Sequence, residues 1–334
     1  MTKPLISVKD LTLRFQTDEG LVTAVNNVSF DIAPGEVLGL VGESGSGKSV
    51  TAKSLMMLNA ENAVYDEGSQ IMLHVDGEDY DVLNLRGARD QLIIRGGAIS
   101  MIFQEPMASF APAITIGEQM VEQLLIHSDM TRTQAKEISI EMLTRVGIPE
   151  PAERFGQYAF EFSGGMRQRA MIAMALSTKP RLLIADEPTT ALDVTIQAQI
   201  IAIVKDLRER LGTAVVWITH DLGVIAGLAD RVIVMYGGRV VEEALVRDLY
   251  ATPAHPYTVG LLASLPRLDQ KGQELVSIPG QPPSLYEEPT KCSFAPRCAH
   301  AFDRCLQEVP ELIEVRPGHH TACFWDIENE RPRA

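Results

Sequence analysis

The sequence lacks several features that mark membrane, secreted and nucleic-acid-binding proteins. No run of about 18 apolar residues occurs in its 334 residues, so we expect no helix that spans a membrane. The first residues, MTKPLISVKDLTLRF, contain no apolar core and no small-residue cleavage site, so we expect no secretion signal and a cytosolic protein. Basic residues are outnumbered, since 30 Lys and Arg stand against 44 Asp and Glu, and the formal net charge of −14 argues against a nucleic-acid partner.

Cysteine is scarce and unevenly placed. The chain has four cysteines, all after residue 290: Cys292, Cys298, Cys305 and Cys323. Disulfides are not expected in a cytosolic protein. The spacing C-x5-C-x6-C-x17-C lacks the close pairs of most four-cysteine zinc sites, whereas four thiolates can also hold a 4Fe–4S cluster. The spacing alone therefore leaves an iron–sulfur cluster, zinc and no metal as three open alternatives.

What the chain does contain is a phosphate-binding motif at residues 42–49, GESGSGKS. A short apolar run over 36–41 precedes it and a helical pattern over 48–58 follows, which is the strand–loop–helix setting that the motif needs. The glycines let the backbone approach an anion closely with its amides directed inward. Lys48 can then reach the β- and γ-phosphates, and the Ser49 hydroxyl can ligate Mg²⁺. The alternative is a glycine-rich turn that binds nothing.

The rest of the pattern predicts an α/β protein with a helical insert. Strands are predicted where apolar residues alternate with polar ones or form a short run: 5–15, 21–32, 98–104, 181–187 and 213–221. Helical spacing occurs over 116–127, 133–146, 163–177 and 195–211. A hairpin is predicted to turn at Gly237-Gly238, and after about residue 250 the pattern dissolves into a proline-rich tail.

Two carboxylates end the predicted strand at 181–187. Ligands of α/β sheets bind at the carboxyl ends of parallel strands, so Asp186 is placed to hold Mg²⁺ through water. Glu187 follows directly and can orient, or take a proton from, the water that attacks a γ-phosphate. Helix N-capping is the alternative function of this Asp-Glu pair.

Four further features are candidates for contact with a nucleotide. His220 and Gln104 end predicted strands, where His220 can sense a γ-phosphate and Gln104 can contact Mg²⁺ or the attacking water. Residues 163–165, Ser-Gly-Gly, open a helix and offer a second anion site, although they are also an ordinary N-cap. Phe15 can stack on adenine, although an aromatic residue in a strand is usually part of a core. Two phosphate-binding helix starts far apart in sequence suggest one nucleotide shared between two copies of the fold.

In their order and spacing these motifs resemble those of an ABC-transporter ATPase, over residues 5–250. Residues 42–49 look like its Walker A loop, Gln104 its Q-loop, and 163–168 its signature motif. Asp186-Glu187 look like Walker B with the catalytic glutamate, 191–193 the D-loop, and His220 the H-loop. Two departures are visible: the signature reads FSGGM instead of LSGGQ, and the adenine-stacking position, often Tyr, is Phe15.

The resemblance implies a fold and a set of functional residues. The implied fold is a P-loop NTPase with a RecA-like core, an antiparallel β subdomain, an inserted helical subdomain and a cysteine-containing extension. Glu187, His220 and Gln104 are implied to act in catalysis, and Ser49, Gln104 and Asp186 to hold Mg²⁺. The residues implied to bind ATP are Phe15, Gly42, Glu43, Ser44, Gly45, Ser46, Gly47, Lys48, Ser49, Val50, Asp186, Ser163, Gly164 and Gly165.

The tail resembles the C-terminal extension of the oligopeptide/dipeptide/nickel importer ATPases. The residues that carry this resemblance are 255–258 (HPYT), 278–280 (IPG) and 292–298 (CSFAPRC). The resemblance favours a 4Fe–4S cluster on the four cysteines. It also gives the expected segments: a core with the β subdomain (1–104), the helical subdomain (105–178), the core continued (179–250) and the extension (251–334).

The same resemblance implies a translocase subunit that hydrolyses ATP to power peptide import, peripheral on the cytoplasmic face of the inner membrane. The implied partners are two transmembrane permeases, a second ATPase subunit, identical or paralogous, and an extracytoplasmic solute-binding protein. Docking to the permeases would use the helical subdomain and the Gln104 loop. The alternatives are an importer of nickel, oligosaccharide or antimicrobial peptide, a soluble ABC ATPase, and a P-loop regulatory protein.

Overall fold

Strands and helices form largely where the sequence predicts them. The computed structural model describes residues 3–85, 87–190, 193–265 and 277–333. Its contacts divide the chain into two units, which we call the first and second units. The first comprises Met1–Leu5, Ile32–Glu36 and Leu73–Trp217, and the second comprises Ile6–Asp31, Val37–Met72 and Ile218–Ala334.

The strands are numbered along the chain: β1 (Ile6–Thr17), β2 (Gly20–Ile32), β3 (Val37–Val41), β4 (Ala63–Tyr65), β5 (Gln70–Val75), β6 (Glu78–Asp81), β7 (Ile99–Ile102), β8 (Leu182–Asp186), β9 (Ala214–Thr219), β10 (Arg231–Tyr236), β11 (Arg239–Leu245), β12 (Ile313–Arg316), β13 (His319–Thr321), β14 (Trp325–Asp326) and β15 (Arg331–Pro332). The helices are α1 (Lys48–Ser54), α2 (Ala88–Ile94), α3 (Pro106–Ser109), α4 (Ile116–His127), α5 (Arg132–Arg145), α6 (Pro151–Arg154), α7 (Gly164–Ser177), α8 (Val194–Leu211), α9 (Leu222–Ala226), α10 (Val246–Ala251) and α11 (Pro256–Ala263).

The first unit combines buried parallel strands with the predicted helical block. Strands β7 and β8 pair in parallel from Ile99 opposite Leu182 to Ile102 opposite Ala185, and every residue of both is buried. Continuous burial is typical of parallel strands that are covered on both faces. Helices α4 and α5 pack together and α5 also packs on α7. Side-chain caps fix where α4 and α5 begin, because the Thr115 and Thr131 hydroxyls accept backbone N–H bonds in their first turns.

The second unit carries the phosphate loop on a sheet whose order is β12–β13–β11–β10–β3. Strands β3 and β10 are parallel, with Leu38 level with Arg231. The predicted hairpin is confirmed, since Tyr236 pairs with Arg239 across Gly237-Gly238. In the β layer of this unit, β1 lies beside β2 and pairs antiparallel with β4.

The proline-rich tail after about residue 250, in which the sequence pattern dissolves, contains regular elements that the pattern did not show. Helix α11 forms there, and β13 extends the sheet by pairing with β11, Thr321 opposite Glu242. The strands β12 to β15 of the tail have two to four residues each, which is too short to show a period of two, so the sequence pattern could not reveal them. For the same reason the three-residue strand β4 was not predicted. Across the described ranges, none of the helices combines the length and the hydropathy needed to cross a membrane.

Candidate nucleotide-binding site

The phosphate loop of the second unit requires glycine at two positions. Gly42 has φ 151° and Gly47 has φ 99°, both in the region that favours glycine. A Cβ on Gly42 would lie 2.2 Å from the Met235 carbonyl oxygen, and one on Gly47 would lie 2.6 Å from the carbonyl oxygen of Ala24. The loop is therefore pressed against β10 and β2, and any side chain at these two positions would displace it.

Lys48 is held inside this loop. Its side chain is buried, and its Nζ donates to the carbonyl oxygens of Gly42 and Glu43, each at 2.8 Å. Ser46 is also buried, whereas Ser44 and Gly45 form the exposed tip. Lys48, Ser49 and Val50 begin α1. The arrangement places an ammonium group at the base of a glycine loop, which is the chemistry that a polyphosphate needs.

Asp186 ends β8 in the first unit, and Glu187, predicted as the last strand residue, directly follows it. Asp186 is the last strand residue and is buried. Glu187 lies beyond the strand with φ 46°, a left-handed conformation that is strained for a residue with a side chain. The Glu187 side chain accepts hydrogen bonds from Gln104 and Thr190.

The structure brings Gln104 and Glu187 together. Gln104 Nε2 donates to Glu187 Oε2 at 3.1 Å, and the Thr190 hydroxyl donates to the same oxygen at 2.9 Å. These donors fix the carboxylate, which remains able to accept a proton from a bound water. The sequence predicted contact of Gln104 with Mg²⁺ or water, and the described contact with Glu187 is a finding of the structure.

The start of α7 is an open surface in the first unit. Ser163 caps the helix by accepting the Met166 N–H at 3.3 Å, and Ser163 and Gly164 are exposed. Among the described residues, nothing lies within 4 Å of a Cβ added to Gly164, and Ile196 lies 3.5 Å from one on Gly165. With respect to these residues, the start of α7 is more open than the positions of Gly42 and Gly47 in the phosphate loop.

Two predicted residues of the second unit lie on the expected elements. Phe15 is half-buried on β1, opposite Ala63 of β4, and His220 is exposed immediately after β9. In the predicted D-loop, Ala191 and Leu192 lie outside the described residues, and Asp193 caps α8 by accepting the Ile196 N–H at 2.9 Å.

The four cysteines of the extension are neighbours. Burial raises the pKa of the Cys323 thiol to about 12, and the nearby thiols of Cys292 and Cys298 add to the rise. Burial also raises the pKa of Cys292, with a smaller contribution from Cys305. Within the part of the chain that the structure describes, however, no three His, Cys, Asp or Glu side chains are arranged as a metal site. Cys305 is buried and the other three cysteines are half-buried, so the predicted ligand set is a group of neighbouring thiols without the geometry of a metal centre.

Sequence reasoning missed two residues that hold the phosphate loop. Arg297 pairs with the Glu43 carboxylate, and the Tyr257 hydroxyl accepts the Glu43 N–H at 2.8 Å. Both residues stand in the tail motifs that carry the resemblance, CSFAPRC and HPYT. Their position in those motifs was the available signal, but no local pattern connects them to a loop more than 200 positions away.

Comparison with known proteins places these features in context. The family described as "ABC transporter" matches residues 25–190, and the family "Oligopeptide/dipeptide transporter, C-terminal region" matches residues 241–305. The oligopeptide transport ATP-binding protein OppD of Salmonella typhimurium is 48% identical over 324 residues, which are 97% of this chain and 94% of that protein. A probable peptide ABC transporter ATP-binding protein of Sinorhizobium fredii is 49% identical over 321 residues, 96% of this chain and 94% of that protein.

A solved structure supports the same relationship. The dimeric post-hydrolysis state of an ATP-binding cassette bound to ADP and Pi superimposes with a TM-score of 0.63 at 27% identity, over 72% of this chain and 99% of that one. The predicted P-loop NTPase fold is thereby confirmed.

Proposed function

The chain belongs to the ABC transporter family, in the branch that carries the oligopeptide/dipeptide C-terminal region, and we propose that it is the ATP-hydrolysing subunit of a peptide importer. The observation that carries this proposal is the likeness to named peptide-transport subunits over 97% of the chain, extension included. The phosphate loop with its buried Lys48, and Glu187 fixed by Gln104, supply the groups that ATP hydrolysis needs.

Each of these groups has a proposed role in hydrolysis. The amides of the loop and the Lys48 ammonium bind the β- and γ-phosphates. Ser49 and Asp186 are the proposed ligands of Mg²⁺, and their hydroxyl and carboxylate oxygens are the donors that this ion prefers. When bound, Mg²⁺ neutralises phosphate charge. Glu187 accepts the proton of the attacking water, and Gln104 keeps that carboxylate in one orientation.

The exposed start of α7 is proposed to act on the nucleotide of another subunit. Its first amides and the Ser163 hydroxyl are open to the surface and can donate to a γ-phosphate that is held by a partner's phosphate loop. The predicted head-to-tail dimer, with an identical or a paralogous subunit, provides such an arrangement. Phe15 and His220 are proposed to contact the adenine and the γ-phosphate, respectively.

We also propose the membrane partners that the resemblance implies. Two transmembrane permeases would dock on the helical segment 105–178 and the Gln104 loop, and ATP binding would drive their change of conformation. An extracytoplasmic binding protein would deliver the peptide. The subunit would then lie peripherally on the cytoplasmic face of the inner membrane. The segments 1–104, 105–178, 179–250 and 251–334 remain our proposed division of the chain.

The 4Fe–4S cluster is the finer proposal for the four cysteines. Its support is the donor set, four neighbouring thiols in one extension, of which Cys305 is buried and the others are half-buried. Thiols bind iron as thiolates, so the raised pKa values of Cys292 and Cys323 predict that iron binding releases protons and weakens as the pH falls. Protein purified without air should be brown and contain iron and acid-labile sulfide. Protein with zinc and no iron would contradict the cluster.

Copurification tests the importer directly. The chain, tagged and expressed with the genes next to its own, should be extracted from membranes together with two integral membrane subunits. The ATPase rate of the complex should rise when peptide-loaded binding protein is added. A chain that is recovered alone from every membrane preparation, with no stimulation, would contradict the proposed function.

A further inference from the structure

Glu43, the second residue of the phosphate loop, is held through all of its polar groups. Its backbone N–H donates to the Tyr257 hydroxyl at 2.8 Å, and its carbonyl oxygen accepts from Lys48 Nζ at 2.8 Å. Its carboxylate accepts two hydrogen bonds from Arg297, at 2.7 and 2.9 Å. Two of these three anchors, Tyr257 and Arg297, belong to the C-terminal part of the chain that follows the hairpin.

The Arg297 guanidinium is fully engaged. Besides its two bonds to Glu43, it donates to the carbonyl oxygens of Pro279 at 2.9 Å and Ile278 at 3.1 Å, and to the Tyr236 hydroxyl at 3.2 Å. An arginine has five N–H donors in a rigid fork, and each takes part here. The Arg297 side chain is only 4% exposed, whereas that of Glu43 is 27% exposed, so the guanidinium is shielded from water and its bidentate geometry holds the partly exposed carboxylate.

Packing fixes the position of the Tyr257 hydroxyl. Tyr257 is fully buried in the first turn of α11, and its ring lies 4.7 Å from that of Tyr236 and 5.4 Å from that of Phe294. The Tyr257 N–H donates to His255 Nδ1 at 3.0 Å, which caps the helix. The hydroxyl that meets Glu43 is thus carried by an aromatic cluster with little freedom to move.

The extension also reaches the strand that bears Phe15. Glu288 forms an ion pair with Arg14, the residue before Phe15, and the Thr23 N–H of β2 donates to the Leu285 carbonyl oxygen at 2.8 Å. Residues of the extension therefore contact the strand that bears Phe15, its neighbour β2 and the loop predicted to face the phosphates, all within the second unit.

We propose that Arg297 and Tyr257 are positioning residues for ATP binding, which act by fixing Glu43 and neutralising its charge. The proposal rests on the proposed ATPase function. Glu43 is a carboxylate inside a loop that must receive a polyanion, and without Arg297 its charge would repel the phosphates. With Arg297 in place the carboxylate is paired, and the bonds from Tyr257 and Arg297 hold the loop in its receiving conformation.

The expected effect is on the KM for ATP. The loop contacts the phosphates before and during hydrolysis, so a loss of its positioning weakens both states alike and raises KM without changing kcat. We expect Arg297→Gln to raise the KM for MgATP about tenfold, with kcat within about twofold of wild type; tenfold corresponds to about 1.4 kcal/mol. Tyr257→Phe, which keeps the ring, should raise KM about threefold because one hydrogen bond is lost.

A charge-removal rescue separates this role from a structural one. In the double variant Glu43→Gln with Arg297→Gln no carboxylate is left unpaired, so KM should return to within about threefold of wild type. Arg304→Gln is the matched control, since Arg304 forms an exposed ion pair with Glu308 in the same extension and should leave KM unchanged.

The experiment measures steady-state hydrolysis by the full chain, with binding of a fluorescent ATP analogue as a second readout. An unchanged KM in Arg297→Gln, or a double variant no better than Arg297→Gln, would overturn the proposal. If Arg297→Gln fails to fold, Tyr257→Phe decides, because a raised KM supports the proposal and an unchanged KM refutes it. Wild-type protein that neither binds nor hydrolyses ATP would refute the proposed function instead.

Discussion

Two helices of this chain begin at glycines predicted to face phosphate, and their surroundings are opposite. At the start of α1, Lys48 and Ser46 are buried and Gly47 packs against the Ala24 carbonyl oxygen. At the start of α7, Ser163 and Gly164 are exposed, and no atom of the described residues lies within 4 Å of a Cβ added to Gly164. The start of α1 is thus enclosed by its own chain, whereas the start of α7 is open with respect to the described part of the chain.

The difference fits the two kinds of anion site that we propose. A loop that binds phosphate in the free subunit must be organised before the ligand arrives, and the neighbours of the phosphate loop pack closely on it. A helix start that acts on another subunit's nucleotide must stay accessible, and the Ser163 cap stabilises the start of α7 from within the helix. The predictions below test this contrast, beginning with the largest effect.

Removal of the Lys48 ammonium should abolish ATP binding and hydrolysis at the phosphate loop, where α1 begins. Lys48→Ala deletes the ammonium group that the carbonyl oxygens of Gly42 and Glu43 hold inside the loop, so we expect ATP affinity and hydrolysis to fall by at least about 100-fold. Isothermal titration with MgATP measures the affinity. Lys53→Ala, in the last turn of the same helix, is the control and should bind normally. Normal ATP binding by Lys48→Ala would contradict the claim that the enclosed start of α1 binds the phosphates.

Glu187→Gln should separate binding from hydrolysis. The amide keeps the size of the side chain and its contact with Gln104 but cannot accept a proton, so kcat should fall by about 10²–10⁴-fold with ATP binding unchanged. Phosphate release measures turnover. Glu209→Gln, on the exposed face of α8, should retain the wild-type rate. Near-normal turnover in Glu187→Gln would remove Glu187 from the role of base.

Matched alanines at the two helix starts sharpen the contrast. Gly47→Ala introduces a Cβ at φ 99° and 2.6 Å from a carbonyl oxygen, so the free energy of unfolding should fall by at least about 1–3 kcal/mol and ATP binding should be lost. Gly164→Ala meets open space, so stability and ATP binding by the free subunit should be unchanged.

Steady-state hydrolysis by the assembled pair should nevertheless fall in Gly164→Ala, because the new methyl group faces the partner's nucleotide in the proposed dimer. Calorimetry on both variants measures the stability, and ATPase assays on both measure the rate of hydrolysis. Equal loss of stability in the two variants would contradict the contrast between a closed and an open helix start.

The start of a third helix, α11, is capped by a titratable side chain, that of His255, which accepts the Tyr257 N–H. Burial lowers the pKa of His255 to about 4, although the nearby Glu242 carboxylate opposes the shift. Above pH 6.5 the imidazole is neutral in the folded and unfolded chains alike, and below it only the unfolded chain takes up the proton. Stability is therefore lost as the pH falls from 6.5 toward 4, by about 2 kcal/mol at pH 5.

His255→Asn should remove this pH dependence and keep the cap, because asparagine can accept the Tyr257 N–H as His255 does. Urea unfolding at pH 7.5 and pH 5 measures the loss, which should be about 2 kcal/mol smaller in the variant. An equal loss in both proteins would show that His255 does not titrate in this range.

The sequence predicted the elements with strong local signals. The helices α4, α5, α7 and α8 carry long apolar periods and Ser, Thr or Asp caps, so their limits agree with the structure within one or two residues. The Walker-type residues were found because each motif is continuous in sequence. The short strands β12 and β13 carry no such signal, and the positive φ of Glu187 depends on contacts that sequence alone does not show.

Contacts between distant residues were beyond sequence reasoning. Arg297 and Glu43 are separated by 254 positions, and a lone arginine among cysteines gives no indication of a partner in the phosphate loop. The resemblance marked the cysteines of the same motif as cluster ligands and gave the arginine between them no role. Only the fold shows that this segment anchors the nucleotide loop.

ATP-driven peptide uptake tests the central claim most directly. The chain would be reconstituted in proteoliposomes with the permeases encoded beside it, the second ATPase if it is a paralogue, and the binding protein, and the uptake of a labelled oligopeptide would be followed. We predict uptake with wild-type chain and MgATP, none without ATP, none with Lys48→Ala, and normal uptake with Lys53→Ala. Uptake that persists in Lys48→Ala, or wild-type complex that hydrolyses ATP without moving any peptide, would contradict the account.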